Sequence, residues 1–122
     1  MDSSSPDENG ILHFPSSNAY IAFVDDCIVS NRLLVTLMEA PWSEPSKAVY
    51  SIFVQLREVF PDVIFSKMDV EETKDVASLM FVRIVPSVIF VLEGKEVARI
   101  KKTVPYELLQ QTVLSLLKKQ QS

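Results

Sequence analysis

Three short apolar runs constrain the fold of this chain more than any other feature of its sequence. The runs are 33–38, 63–68 and 87–92, and apolar residues follow one another in them for most of their length. Runs of this kind are typical of strands that are buried on both faces of a sheet. Segments with helical spacing of apolar residues lie between them, so the sequence predicts a sheet with helices packed on both faces.

The predicted elements alternate along the chain and end in a hairpin. In order, they are strand 11–14, helix 19–29, strand 33–38, helix 45–60, strand 63–68, helix 74–80, strands 87–92 and 96–101, and helix 105–119. Gly94 supplies the turn between the last two strands. The order βαβαβαββα predicts an α/β fold with a mixed central sheet of four to five strands, flanked by helices on both faces.

The beginning of the chain differs in composition from the rest. Residues 1–10 contain serines, acids and an Asn9-Gly10 pair, and we expect them to form a disordered lead. Residues 11–122 are then expected to form a single domain, since 122 residues suit one hydrophobic core. The first residues are acidic and polar where a secretory signal is basic and then apolar. We therefore expect a cytoplasmic protein, with the nucleus as a second location.

The scarcity of cysteine and histidine excludes several classes of site. Cys27 and His13 are the only residues of their types, so this chain alone builds no internal disulfide, Cys/His zinc cluster or iron–sulfur site. A net charge of −4 argues against nucleic-acid binding, and no apolar run is long enough to span a membrane. We expect no cofactor, no metal, no nucleic acid and no membrane partner. Cys27 lies beside Ile28 in a predicted helix, which indicates a structural thiol.

The segment best placed to carry chemistry is 42–46, which reads Trp-Ser-Glu-Pro-Ser. It joins the end of a buried strand to the start of a long helix, where α/β folds gather ligands. A purely structural interpretation is also available. In that interpretation Ser43 caps the helix, Pro45 suits its first turn and Glu44 complements its dipole.

This loop and a downstream pair resemble the thioredoxin family over about residues 17–119. The motifs are the aromatic-x-x-Pro loop after a central strand, Val85-Pro86 before the hairpin, and Gly94 eight positions beyond Pro86. The family's loop reads Trp-Cys-Gly-Pro-Cys. The resemblance therefore implies a thioredoxin-like fold, with Ser43 and Ser46 at the two thiol positions and Pro86 as a cis-proline facing the loop.

Serine at both thiol positions removes the family's chemistry. Thiol–disulfide exchange needs one sulfur that attacks as thiolate and a second that resolves the mixed disulfide, and a serine hydroxyl does neither. We therefore expect no catalytic residue in the chain as it stands and no thiol–disulfide activity.

Other positions also depart from active thioredoxins. Leu37 stands where they carry a buried Asp, and Glu39 stands where they carry an aromatic residue. Their Gly-rich groove edge is replaced by Lys101-Lys102-Thr103, whereas Lys67 matches the lysine that partners the missing Asp. Together these changes favour a domain that is not adapted to general disulfide reduction.

The leading hypothesis is a redox-inactive module that binds a protein partner. An extended partner segment would pair with the backbone beside Pro86, with no covalent step. The expected groove is formed by Trp42, Glu44, Pro45, Val85, Pro86 and Thr103.

The loop also resembles one particular branch of the family. Its Trp-x-Glu-Pro-x-Lys-Ala pattern is similar to the N-terminal thioredoxin-like domain of multidomain monothiol glutaredoxins. That resemblance implies a glutaredoxin domain in the same native chain and a role in iron–sulfur and redox homeostasis.

Three alternatives remain open at this point. One is an active thiol–disulfide oxidoreductase, a thioredoxin, captured as a double Cys-to-Ser variant at positions 43 and 46. Another is a structural subunit of a larger assembly. A serine hydrolase would need a base beside Ser43, and His13 on the first predicted strand is the only histidine.

Overall fold

The computed structural model describes residues 4–121, which form ten helices and strands. The elements are β1 (Ser5–Pro6), β2 (Leu12–His13), α1 (Ser17–Ser30), β3 (Leu34–Glu39), α2 (Glu44–Val59), β4 (Ile64–Asp69), α3 (Lys74–Leu79), β5 (Ser87–Leu92), β6 (Lys95–Lys101) and α4 (Tyr106–Gln121). Every helix and strand predicted from the sequence is present, with ends that differ by a few residues at most.

The strands form one mixed sheet in the order β1-β2-β4-β3-β5-β6. Strands β2, β4 and β3 run parallel, whereas β5 and β6 are antiparallel to their neighbours. This arrangement confirms the predicted thioredoxin-like α/β fold. The sheet has six strands rather than four to five, because the short β1 adds an antiparallel edge next to β2.

Each face of the sheet is covered by a pair of helices. Helices α2 and α4 pack on one face, where side chains such as Phe53 and Leu109 meet Leu37 and Phe65 of the central strands. Helices α1 and α3 pack on the other face, against a second buried cluster that includes Met38. The alternation of β3 residues between the two clusters explains why this strand reads as a continuous apolar run.

A buried polar pair lies between the two central strands. Thr36 Oγ1 and Ser66 Oγ are 2.8 Å apart, and Ser66 also donates to the carbonyl of Val35 at 3.0 Å. Thr36 and Ser66 are register partners in β3 and β4. A slip of one residue would leave these hydroxyls without partners in an apolar layer, so the pair fixes the register of the two strands.

The N-terminal segment differs from its expected disorder in the residues that the structure describes. Ser5–Pro6 pairs with Leu12–His13, and the chain reverses between them. The carboxylate of Asp7 accepts hydrogen bonds from the backbone N–H of Asn9 at 2.8 Å and of Ile11 at 3.0 Å. Composition suggested disorder, but these polar contacts order residues 5–10. Residues 1–3 of the expected lead lie outside the described residues.

The turn of the β5–β6 hairpin requires glycine. Gly94 has φ of +79°, and a Cβ there would lie 2.8 Å from Cδ1 of Ile28 on α1. Glu93 also has positive φ, which gives two consecutive left-handed residues, as in the tight turns that match strand twist. Among the described residues, no helix combines the length and apolar character that a membrane span requires.

Candidate functional site

The loop between β3 and α2 is shaped by the start of the helix. Ser43 is the N-cap of α2, and its Oγ accepts a hydrogen bond from the backbone N–H of Ser46. Pro45 lies in the first turn, where a missing backbone N–H is tolerated. Glu44 places a carboxylate near the positive end of the helix dipole and pairs with Lys47 at 2.8 Å. The structural interpretation of these three residues is therefore confirmed.

The two serines at the thiol positions contact each other directly. The hydroxyl of Ser46 donates to Ser43 Oγ over 2.9 Å, and the residues are only 1% and 3% exposed. Each hydroxyl is thus buried and has a partner. The geometry does not pair Ser43 with a general base, because Nε2 of His13 instead lies 2.9 Å from Oε1 of Glu72. The serine hydrolase hypothesis gains no support from this arrangement.

Three segments of the predicted groove meet at one end of the sheet. Ser87, at the start of β5, pairs with Met38 near the end of β3 and with Lys101 at the end of β6. The peptide bond between Val85 and Pro86 is cis, as the resemblance implied. The carbonyl of Pro86 accepts a hydrogen bond from the backbone N–H of Lys102 at 3.0 Å.

The predicted groove residues differ in how far solvent reaches them. Trp42 is 70% exposed, which is unusual for the only tryptophan of a small domain. Glu44, Pro45 and Thr103 are exposed as well. Val85 is half-buried and Pro86 is buried. Pro86 therefore contributes its backbone and the shape of the loop, whereas Trp42 contributes an accessible aromatic surface.

Lys102 beside the groove and Phe81 after α3 both have a left-handed backbone, which the sequence did not indicate. Lys102 has φ of 71° and Phe81 has φ of 55°. Left-handed conformations are uncommon outside glycine, and a bulky residue such as phenylalanine rarely adopts them. The corner at Phe81 is held by Arg99, whose guanidinium donates to the carbonyls of Met80 at 2.7 Å and Phe81 at 3.4 Å. Glu96 fixes this guanidinium through two hydrogen bonds of 2.7 Å.

The lysine that matches the family's buried ion pair has a different partner here. Leu37 is fully buried and lies in register with Lys67, so that position of β3 offers the lysine no carboxylate. Instead, Lys67 Nζ lies 3.4 Å from Oδ2 of Asp7 and 4.7 Å from the ring centroid of Tyr50. The Tyr50 hydroxyl donates to the same Asp7 oxygen. The N-terminal segment therefore supplies the carboxylate that pairs with Lys67, in place of the acid that the family resemblance expects at position 37.

The surroundings of Asp7 favour its ionised form. Burial raises the pKa of this carboxyl, but hydrogen bonds from Tyr50 and from the N–H groups of Ile11 and Asn9, together with Lys67, lower the pKa overall. Sequence reasoning missed this residue. The one local signal was Asp7 two residues before Asn9-Gly10, a pattern that favours a side-chain-stabilised turn.

An acid-rich cleft of about 310 Å³ lies on the β2–β4 side of the loop. Its lining comprises Ser5, Pro6, Asp7, His13, Glu39, Lys67, Asp69 and Glu72. Burial raises the pKa of Glu39, while Lys67 opposes that shift. Within residues 4–121, no group of three or more His, Cys, Asp or Glu side chains is placed to hold a metal ion.

Cys27 lies apart from this site. It is 3% exposed in the middle of α1, and its thiol carries no disulfide. Burial raises the pKa of this thiol, with Asp26 adding to the effect and Arg32 opposing it. A thiol that stays protonated and covered is a poor nucleophile. The placement agrees with the structural thiol predicted from the sequence.

Comparisons with known proteins place the chain in a family. A thioredoxin family model matches residues 15–115. A thioredoxin H-type from Picea mariana is 30% identical over 93 residues, or 76% of this chain and 74% of that protein. Thioredoxin H2 from Arabidopsis thaliana is 34% identical over 90 residues, or 74% of this chain and 68% of that protein.

A solved structure gives the same result. The crystal structure of thioredoxin NaTrxh from Nicotiana alata matches with a TM-score of 0.81 and 29% sequence identity. The match covers 94% of this chain and 97% of that one. The sequence, the sheet topology and the loop thus agree, and this chain belongs to the thioredoxin family.

Proposed function

We infer that this chain is a redox-inactive thioredoxin-like module that binds a protein partner in the groove beside Trp42 and Pro86. One observation carries the proposal: the two thiol positions hold serines whose buried hydroxyls bond each other. In the family, the start of this helix activates a thiol. Here it holds the N-cap Ser43 and the hydroxyl pair that Ser43 forms with Ser46. What remains usable at this end of the sheet is surface for binding.

The redox-inactive part follows from the chemistry of the two side chains. A mixed disulfide needs a sulfur on each partner, and its resolution needs a second sulfur nearby. Ser43 and Ser46 supply neither, and Cys27 is buried in α1. Leu37 further removes the acid that the family resemblance places on this strand for proton transfer.

The binding part rests on the exposed indole and its neighbourhood. A large aromatic side chain at 70% exposure leaves apolar surface in water, which a partner would cover. Ile84, just before the cis peptide bond, is also exposed. An extended partner segment beside Pro86 gains main-chain hydrogen bonds together with apolar contact to Trp42.

The loop pattern extends the proposal to one class of partner. Its similarity to the N-terminal domains of monothiol glutaredoxins favours a glutaredoxin domain as partner, carried by the same native chain. The module would then act in iron–sulfur and redox homeostasis in the cytoplasm or nucleus. Co-purification of this chain with a separately expressed monothiol glutaredoxin domain tests that extension, and no association at any concentration would contradict it.

The groove itself is tested with a double variant, Trp42→Ala with Val85→Asp. We expect it to keep the wild-type circular dichroism and to lose the partners that wild-type protein captures, quantified by mass spectrometry. The matched control is Val59→Asp with Leu114→Ala, which changes two exposed apolar residues of α2 and α4. If the folded groove variant captures the same partners as the control, the groove is not the binding surface.

A further inference from the structure

The groove has a cationic edge on the side of β6. Lys101 and Lys102 are exposed beside the cis-proline segment, and Arg83 is exposed in the loop that precedes it, in a chain whose net charge is −4. Within residues 4–121, the side chains of these three residues have no ion pair or hydrogen bond. Lys101 is the register partner of Ser87, and the backbone N–H of Lys102 bonds to Pro86, so the two lysines adjoin the groove.

The backbone at Lys102 points to a use for its side chain. With φ of 71°, this residue occupies a conformation that glycine adopts freely and that strains other residues. Strained conformations tend to be found where a side chain serves function. A lysine at this place keeps a positive charge beside the groove in spite of the local strain.

Charge on the other side of the loop has the opposite sign. The cleft next to β2 and β4 is lined by Asp7, Glu39, Asp69 and Glu72. At the mouth of the loop, Glu44 is balanced by Lys47. A bound segment therefore meets the positive charge of Lys101 and Lys102 on its β6 side and acidic side chains on the other side.

We propose that the groove selects an extended protein segment with Asp or Glu next to the apolar residue that covers Trp42, and that Lys101 and Lys102 provide the matching charge. This inference rests on the proposed function. The acids of the segment lie toward β6, because acids on the other side would face the acidic cleft. A nucleic acid is disfavoured as occupant, because its charge would extend over both sides.

The expected effect of each lysine is modest and depends on salt. Exposed ion pairs change an equilibrium constant by about two- to fivefold each, and salt screens them. Charges at the rim of an interface act mainly on the association rate and on the choice of partner. The selectivity should therefore be greatest at low ionic strength.

The test is a selection from a displayed library of random linear peptides. Four forms of the protein serve as bait: wild type, Trp42→Ala, Lys101→Gln with Lys102→Gly, and Lys95→Gln. The last removes a lysine from the opposite end of β6 and is the matched control for charge. For each of the other three forms, the groove binders are the peptides that this form selects and that Trp42→Ala does not select.

We expect Asp and Glu to be enriched in the groove binders of wild type and of Lys95→Gln, and not in those of the double-lysine variant. A selected peptide, followed by the fluorescence of the single tryptophan, should bind the double-lysine variant about five- to twentyfold more weakly at low salt. The melting temperature of that variant should equal or exceed the wild-type value, since glycine relieves the strain at position 102. Lys102→Asn keeps the loss of charge testable if the glycine variant is unstable.

The possible failures are distinguishable. Groove binders without acidic enrichment, or with equal affinity for the double-lysine variant, overturn this inference and leave the groove in place as a binding site. If no selected peptide depends on Trp42, the proposed function fails, and this inference fails with it.

Discussion

Ser43 performs two tasks at the start of α2. Its Oγ accepts the backbone N–H of Ser46 and also the hydroxyl of Ser46, with both residues buried. Removing the Ser46 hydroxyl leaves the backbone cap intact. Removing the Ser43 hydroxyl leaves both a helix N–H and a buried hydroxyl without their acceptor. The two serines therefore contribute unequally to the start of α2, although both occupy thiol positions of the family's motif.

The first prediction follows from that inequality. Ser43→Ala should lower the free energy of unfolding by about 1–2 kcal/mol, because it removes an N-cap and strands a buried donor. Ser46→Ala should cost less, and Ser51→Ala, exposed on the same helix, should cost almost nothing. Urea denaturation measures all three. Equal losses for Ser43→Ala and Ser46→Ala would contradict the cap assigned to Ser43.

At the scale of elements, the segment 5–10 covers the edge of the sheet at β2 and connects it to neighbouring elements. It adds β1 next to β2 and reaches α2 and β4 through one carboxylate. Gly10 accepts a hydrogen bond from Arg57 at 3.0 Å, which fastens its end to α2. Asp7 thus links three elements that the sequence places far apart.

The second prediction concerns Asp7. Asp7→Asn should lower the free energy of unfolding at neutral pH by about 1–3 kcal/mol, because an amide nitrogen in place of Oδ2 cannot accept from Tyr50 or pair with Lys67. Since folding lowers the pKa of Asp7 from 3.8, its stabilisation is present above that value and is lost as the pH falls through the lower folded pKa.

The stability difference between wild type and Asp7→Asn should therefore shrink in acid. Denaturation curves from neutral pH down to strong acid measure it, with Glu8→Gln as an exposed neighbouring control. A difference that stays constant over this range would show that charge at Asp7 does not contribute.

At the scale of the whole molecule, most of the architecture was predictable because it depends on local patterns. The buried central strands read as apolar runs, and β5 was predicted with its observed bounds, Ser87–Leu92. The strand β1 was not predictable, because two residues carry no periodicity and its position depends on contacts of Asp7 with Tyr50 and Lys67.

The same distinction applies to the candidate site. The loop and the helix cap followed from short motifs that act locally, whereas the cis-proline followed from the resemblance to the thioredoxin family. Other features depend on packing between distant segments. They are the left-handed backbone at Lys102 and the hydrogen bond from Arg99 to the carbonyl of Phe81. Side-chain identity alone does not reveal such features.

The third prediction concerns cysteines placed at both thiol positions of the folded protein. Ser43→Cys with Ser46→Cys should form a disulfide on mild oxidation, because the two hydroxyl oxygens already lie 2.9 Å apart. It should nevertheless show negligible turnover in insulin reduction, because Leu37 stands where the family resemblance places a proton-transferring acid. Thiol titration and the insulin assay measure the two results. Turnover like that of an active thioredoxin would favour the oxidoreductase hypothesis.

The hydrogen bond between Ser43 and Ser46 has a wider consequence. A Cys-x-x-Cys loop exists as a dithiol or as a disulfide, so the surface around it depends on the redox potential of its surroundings. The hydroxyl pair has one form only, and the single thiol of the chain is buried in α1. Glutathione, peroxide or a reductase thus leaves the loop unaltered. We therefore expect a partner of the proposed groove to meet the same surface during oxidative stress as in a resting cell.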